Sequence, residues 1–96
     1  MGFLFEWDLR KAAANIKKHG LSFQEATTVF GDPLSFTISD PGHSDSETRF
    51  VDLGLSHRGR LLVVSYIERG DNIRIISARC ASRSEQKQYE SKTKQP

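Results

Sequence analysis

The sequence predicts an α+β protein in which two helices precede a four-stranded antiparallel sheet and a third helix follows it. Two observations support this class. Helical periodicity with capping residues occupies the first third of the chain and returns near residue 82, whereas apolar and polar residues alternate between residues 34 and 79. The chain has 96 residues, which suffice for one hydrophobic core, so residues 1–96 are expected to form a single domain.

Capping residues delimit the two N-terminal helices. Asp8 suits an N-cap, and Gly20 suits the left-handed position that ends a helix. Between them four apolar residues (Leu9, Ala12, Ala13 and Ile16) recur at helical spacing. Ser22 and Glu25 have the spacing of a capping box and predict a second helix from Phe23 to Phe30. The first third is therefore predicted to be a helical hairpin.

Four strands are predicted in the middle of the chain: Leu34–Ile38, Arg49–Ser56, Arg60–Glu68 and Asn72–Arg79. Two-residue turns at Arg58-Gly59 and Gly70-Asp71 would pair Leu55 with Leu62 and Tyr66 with Ile75. In this register the helices cover one face of the sheet. The other face, which includes Arg74, would be an open platform for RNA.

The C-terminal region predicts one more helix. Ser82 and Glu85 form a second capping box, and the helix is expected to continue to about Tyr89. The tail from about residue 91 lacks apolar anchors and is predicted to be disordered.

The cysteine count, the length of the apolar runs and the distribution of charge limit the classes of protein to which this chain can belong. A lone Cys80 excludes an internal disulfide and fits a reducing cytoplasm. No apolar run is long enough to span a membrane, and residues 1–5 are too short for a signal peptide. Residues 58–96 carry nine Lys and Arg against four Asp and Glu, whereas residues 1–57 carry five against eight. This asymmetry favours a surface that faces nucleic acid, although a solvated basic surface without a partner fits equally well.

Arginines on or next to the strands are candidates for binding phosphate. Arg60, Arg74 and Arg79, with Arg83 beyond them, carry guanidinium groups that bind phosphate oxygens bidentately and stabilise their charge. We expect the first three to converge on one phosphodiester group. The alternative is that each forms an ion pair with a carboxylate on the sheet surface.

Three residues are candidates for proton transfer or for polarising the ribose 2′-OH. His19 follows Lys18 at the end of the first helix, and Glu68 lies in the third strand. The alternatives are structural: His19 and Lys18 would stabilise the helix C-terminus, and Glu68 would pair with Arg49.

Metal binding has little support. Asp40, His43, Asp45 and Glu47 are grouped in one loop, but their spacing matches neither a zinc site nor an EF-hand. No phosphate-binding glycine loop is present, and Cys80 is interpreted as a packing residue rather than a nucleophile. No metal or other cofactor is therefore predicted.

A series of motifs occurs in order along about residues 3–90: FEWDLRKAAANIKKHG, LSFQEATTVFGDP, Asp40-x-x-His43-Ser44, Glu47-Thr48-Arg49, GRLLVV, Glu68-Arg69 and RIISAR followed by Glu85 and Tyr89. Together they carry a resemblance to the BrnT toxins of bacterial type II toxin–antitoxin systems. It implies a RelE-like fold and a metal-independent endoribonuclease that arrests translation. It also implies a BrnA-type antitoxin that silences the toxin and binds operator DNA on behalf of the complex.

The resulting hypothesis is a cytoplasmic ribonuclease toxin whose substrate supplies its own 2′-OH nucleophile. The candidate catalytic residues are Lys18, His19, Arg60, Glu68, Arg74 and Arg79, and the candidate RNA-binding residues are Lys17, Arg69, Arg83 and Lys87. The expected complex holds two toxins and two antitoxins. Candidate surfaces for the antitoxin are the Leu34–Ile38 edge strand and the first helix near Trp7, and the alternative is that these apolar residues are buried in the core, which is favoured for Phe36. The alternative is a non-catalytic module that binds RNA or the antitoxin, and a DNA-binding repressor is a weaker third reading.

Overall fold

The computed structural model describes residues 4–38 and 49–93. In chain order the elements are β1 (Leu4–Glu6), α1 (Leu9–His19), α2 (Phe23–Thr27) with a 3₁₀ turn (Thr28–Gly31), β2 (Phe36–Ile38), β3 (Arg49–Leu55), β4 (Leu61–Arg69), β5 (Asn72–Cys80) and α3 (Arg83–Thr93). The predicted α+β class is confirmed. The predicted four-stranded antiparallel sheet is wrong, because five strands are arranged in the order β1-β5-β4-β3-β2 and β1 runs parallel to β5. A three-residue strand is too short to show the alternation that identifies longer ones.

Helices cover both faces of the sheet. On one face, Phe23 and Ala26 of α2 share a buried cluster with Leu62, Val64 and Ile75 of the sheet. On the other face, Tyr89 of α3 packs with Val51, Leu53 and Val63. The prediction that all helices share one face, which leaves an open RNA platform, is therefore wrong.

The register between β3 and β4 explains this difference. Leu55 pairs with Leu61 rather than with Leu62, because residues 56–60 connect the strands in place of a two-residue turn. A shift of one residue moves the apolar set of β3 to the opposite face, where it requires a separate helix to cover it.

The β4–β5 hairpin follows the prediction only near its turn. Tyr66 pairs with Ile75 as expected for a Gly70-Asp71 turn, and Gly70 adopts a φ of 58°. A bulge next to Tyr66 then shifts the pairing, so that Val64 faces Ala78 instead of Ser77.

The predicted helix ends agree with the structure in most places. The Asp8 side chain accepts hydrogen bonds from the backbone N–H groups of Arg10 and Lys11, at 2.8 and 3.1 Å. Gly20 has a φ of 69°. The second helix is shorter than predicted, since α2 passes into a 3₁₀ turn at Thr28.

The C-terminal helix is longer than predicted. It ends at Thr93, so the prediction of disorder is wrong for residues 91–93, while residues 94–96 lie outside the described part. The loop holding Asp40, His43, Asp45 and Glu47 also lies outside the described residues.

Asn15 joins α1 to the edge of β5. Its Nδ2 donates to the backbone oxygens of Leu21 (3.1 Å) and Ala78 (2.9 Å), and its Oδ1 accepts from the Ala78 N–H (3.1 Å). Because β1 pairs with β5 only as far as Arg74, this buried amide takes the place of a neighbouring strand at Ala78. The inner side of α1 is therefore polar at its centre. Leu9 and Ile16, two of the four apolar residues at helical spacing, are exposed.

Candidate nucleic-acid interface

The three arginines predicted to share a phosphate each bind a different glutamate. Arg60 forms an ion pair with Glu25 of α2. The Arg74 Nη1 lies 2.9 Å from an Oε of Glu6 in β1. Arg79 binds Glu85 of α3 through two nitrogens, at 2.8 and 2.9 Å.

These arginines do not converge, so the predicted geometry is wrong. Arg74 and Arg79 are five positions apart in one strand, which separates their backbones by about 16 Å. Arg79 binds α3 on one side of the sheet, whereas Arg60 binds α2 on the other. No periodicity in the sequence indicates which acidic side chain meets each arginine, since all three glutamates lie in other elements.

The described surface instead has a concavity of about 310 Å³ where the end of α1, the start of α2 and the β3–β4 connection meet. We call it the basic cavity. It is lined by Ile16, Gly20, Ser22, Gln24, Glu25, His57, Arg58 and Arg60.

Glu25 organises one wall of the basic cavity. Ser22 caps α2 by accepting a hydrogen bond from the Glu25 N–H at 3.0 Å. The Glu25 side chain is only 5% exposed, and one of its oxygens accepts hydrogen bonds from Arg60 Nε at 3.0 Å and Ser56 Oγ at 2.7 Å. The hydrogen bonds from Arg60, aided by Ser56, hold the pKa of Glu25 at about 2 despite its burial. The pair in turn raises the pKa of Arg60, so both groups stay charged at neutral pH.

The β3–β4 connection presents two further basic residues, His57 and Arg58, which are exposed. The His57 N–H donates to Thr28 Oγ1 at 2.9 Å, which attaches the connection to the 3₁₀ turn. The Arg58 N–H donates to Ser56 Oγ at 3.2 Å. Gly59 completes the connection with a φ of 76°.

Sequence reasoning missed His57, Arg58 and Glu25 as site residues because it interpreted them as parts of a turn and a helix cap. The available signal was the density of basic residues around one glycine, His57-Arg58-Gly59-Arg60. Such residues in a loop have greater freedom to contact a ligand than residues within a strand.

Of the other predicted catalytic residues, Lys18 and His19 are close in sequence to a residue that lines the basic cavity. They directly precede Gly20, which lines it; Lys18 is exposed and His19 is half-buried. Glu68 is exposed near the end of β4 that joins the Gly70-Asp71 turn, away from the β3–β4 connection.

The predicted RNA-binding residues are dispersed. Lys17 is exposed on the last turn of α1, and Arg69 is exposed at the end of β4. Arg83 and Lys87 are exposed on α3, which covers the opposite face of the sheet. Of these four residues, Lys17 alone belongs to an element that borders the basic cavity.

A second concavity of about 330 Å³ adjoins the first. It is lined by Thr28, Gly31, Asp32, Leu55, Ser56 and His57. His57 thus belongs to both concavities. Together the two form an extended surface centred on the β3–β4 connection.

The described residues offer neither a metal site nor a membrane-spanning helix. Within residues 4–38 and 49–93, no three His, Cys, Asp or Glu side chains are grouped so that they could hold a metal ion. The helices in that same part of the chain are all too short or too polar to cross a membrane.

Comparisons with known proteins agree with this small α+β fold. A crystal structure of the Brucella abortus ribonuclease toxin, BrnT, superimposes with a TM-score of 0.65 and 22% sequence identity, covering 85% of this chain and all of that one. At this identity the likeness establishes the fold alone. A search of curated proteins found no match.

The family assignment comes from the sequence. The family model described as "Ribonuclease toxin, BrnT, of type II toxin-antitoxin system" matches residues 7–85, which is most of the chain and includes every residue that lines the basic cavity. The chain therefore belongs to the BrnT family of type II toxin–antitoxin ribonuclease toxins.

Proposed function

We propose that this chain is an endoribonuclease that cleaves RNA in the basic cavity without a metal ion. The observation that carries the proposal is the grouping of His57, Arg58 and Arg60 in one concavity beside the end of α1. Guanidinium groups neutralise a phosphodiester, and imidazole transfers protons near neutral pH. The proposed site of action is the cytoplasm, where the RNA of translation is found.

In the proposed reaction the substrate supplies the nucleophile. A neutral imidazole, His57 or His19, removes the proton of the ribose 2′-OH, and the 2′ oxygen attacks the neighbouring phosphorus. The bond between phosphorus and the 5′ oxygen breaks, and a protonated imidazole gives its proton to that oxygen. The products are a 2′,3′-cyclic phosphate and a 5′-hydroxyl.

Arg58, Arg60 and Lys18 would stabilise the charge of the phosphate as the bonds change. Glu25 acts as a positioning residue, since it fixes the Arg60 guanidinium against the cavity wall. Arg60 is 40% exposed in this pair, which leaves part of its guanidinium open to a substrate oxygen.

The catalytic roles of Arg74, Arg79 and Glu68 stay untested predictions, as do the RNA-binding roles of Lys17, Arg69, Arg83 and Lys87. One series of variants distinguishes the arginines that line the basic cavity, Arg58 and Arg60, from Arg74 and Arg79, which lie outside it. Arg58→Ala should lower the rate of RNA cleavage by about 10²–10³-fold, while Arg74→Ala should change it only a few-fold.

The measurement is cleavage of a labelled RNA in excess EDTA, with the 3′ ends of the products identified by mass spectrometry. His57→Ala should lower the rate by about 10²-fold or more, and Arg79→Ala serves as a control for a lost ion pair outside the cavity. A large loss in Arg74→Ala with full activity in Arg58→Ala would move the site to β5. Abolition of wild-type cleavage by EDTA would disprove metal independence.

Membership of the family implies a protein antitoxin, and we propose that it is of the BrnA type. We further propose a complex of two toxins and two antitoxins that reaches operator DNA only through the antitoxin. Light scattering of the co-expressed complex gives the stoichiometry. Operator binding by the toxin alone would contradict this arrangement, as would a mass that excludes two copies of each chain.

The main alternative is a non-catalytic module that binds RNA or the antitoxin. The observation in its favour is that Arg60, Arg74 and Arg79 each already have a glutamate partner. A chain that binds RNA with a steep dependence on salt, but neither cleaves it nor arrests growth on expression, would establish this alternative.

A further inference from the structure

The outer side of α1 has an exposed row of apolar residues that we call the apolar stripe, made of Leu9, Ala13 and Ile16. Their spacing of four and three places them on one side of a helix. Leu9 is 79% exposed and Ile16 is 52% exposed, and Ala13 is exposed between them. Apolar residues at this spacing normally face a core, but here Asn15 occupies the inner side of the helix.

Cations border the apolar stripe. Arg10 and Lys17 are seven residues apart, as are Leu9 and Ile16, so they form a parallel row about a quarter of a turn around the helix. Both side chains are exposed, and neither forms an ion pair with any of the residues 4–38 and 49–93. The first turn of α1 contains no acidic residue, and the carboxylate of Asp8 just before it caps the helix by accepting hydrogen bonds from the backbone N–H groups of Arg10 and Lys11. A partner for this surface therefore needs an apolar face bordered by negative charge.

The apolar stripe ends at the basic cavity. Ile16 belongs to both, and Gly20, one turn further along, also lines the cavity. A segment that lies along the stripe and continues past Ile16 would cover the mouth of the cavity. It would place its acidic side chains near Arg58 and Arg60, where a phosphate group would otherwise bind.

We propose that the apolar stripe is the docking site for an acidic amphipathic helix of the antitoxin, and that docking silences the toxin by covering the basic cavity. This inference rests on the proposed function, because it requires both an antitoxin and catalysis in the cavity. Antitoxin and RNA are then mutually exclusive ligands. The acidic flank of the helix competes directly with the phosphate backbone.

The test uses the toxin chain and, as the probe, the purified protein encoded by the gene next to the toxin gene. Leu9→Asp places a negative charge on the stripe at a position that contributes little to the core. It should weaken antitoxin binding by about 30-fold or more, while the toxin alone cleaves RNA at the wild-type rate. Leu34→Asp is the matched comparison, since Leu34 is 53% exposed outside the stripe and belongs to the other predicted antitoxin surface; it should bind the antitoxin as the wild type does.

A second variant tests the charged row. Arg10→Glu should slow association with the antitoxin and reduce the dependence of that rate on ionic strength. A non-cleavable RNA should compete with the antitoxin for the wild-type chain. Circular dichroism checks that each variant is folded.

The outcomes separate the two proposals. If wild-type toxin cleaves RNA and the antitoxin inhibits it, but Leu9→Asp is inhibited at the same antitoxin concentration, docking on the stripe is refuted and the proposed function stands. If the wild type does not cleave RNA, the proposed function fails, while direct titration with the antitoxin still decides where it docks. A toxin that is dimeric alone and monomeric as Leu9→Asp would assign the stripe to contacts between toxin copies and overturn the proposal.

Discussion

Replacing Glu25 with glutamine removes the buried carboxylate that holds Arg60, while it keeps the size of the side chain. The pKa of Glu25 lies at about 2 instead of its ordinary 4.5, chiefly because Arg60 donates hydrogen bonds to it and Ser56 adds another. A difference of this size corresponds to about 3 kcal/mol of folding free energy at neutral pH as an upper bound. Water reaches the 40% exposed Arg60 and screens the pair. We therefore expect Glu25→Gln to lower the free energy of unfolding by about 1–2 kcal/mol at pH 7.

The lowered pKa of Glu25 determines how the stability difference between wild type and Glu25→Gln changes with pH. Because the pKa of Glu25 is lower in the folded state than in the unfolded state, its contribution is fully present above about pH 4.5 and is lost as the pH falls toward 2. The difference in stability between wild type and Glu25→Gln should therefore be largest at neutral pH and should shrink steadily below pH 4.5.

Urea unfolding at a series of pH values measures this difference. The fluorescence of Trp7, the single tryptophan, is a suitable signal, since its ring packs edge-on against Phe23 of α2 with centroids 6.0 Å apart. Glu90→Gln, which changes an exposed carboxylate on α3, is the control and should unfold like the wild type at neutral pH. A Glu25→Gln deficit of equal size at pH 2.5 and pH 7 would show that packing rather than charge is responsible, and would refute the reasoning.

Two further predictions concern the scaffold around the site. A methyl group at Gly54 would lie 2.6 Å from the Cβ of Ser35, so Gly54→Ala should destabilise the fold by about 1–3 kcal/mol. Thermal melting measures this loss. Gly31→Ala is the control and should melt like the wild type, because a methyl group there meets nothing within 4 Å. Asn15→Ala leaves the backbone groups of Ala78 without their hydrogen bonds and should lower the free energy of unfolding by about 2 kcal/mol or more. Faster hydrogen exchange at the Ala78 amide would accompany that loss, and unchanged exchange would show that water replaces the side chain.

Local signals in the sequence predicted the helices and the central strands well. The Ser82 and Glu85 capping box is present in both directions, with the Ser82 N–H donating to Glu85 at 2.8 Å and the Glu85 N–H donating to Ser82 at 3.3 Å. Because a capping box involves residues only three positions apart, it can be predicted from the local sequence alone. The Gly70-Asp71 turn is predicted correctly for the same reason.

Features that depend on distant parts of the chain were not predictable. The spacing of Ser22 and Glu25 matches the same capping box, yet the Glu25 carboxylate binds Arg60, 35 positions away. The β3–β4 connection is likewise attached to a distant residue, since the His57 N–H donates to Thr28 Oγ1, 29 positions away. Both long-range contacts belong to the candidate site, which explains why its residues were harder to identify than its scaffold.

The amide of Asn15 has a consequence for self-association. Unpaired edges of sheets can recruit strands from other molecules. At Ala78 both backbone groups are already occupied by one side chain, so a foreign strand cannot extend the ladder there without first displacing a buried asparagine. The strands at the two borders of the described sheet, β1 and β2, are each only three residues long, so they offer few backbone groups to a foreign strand.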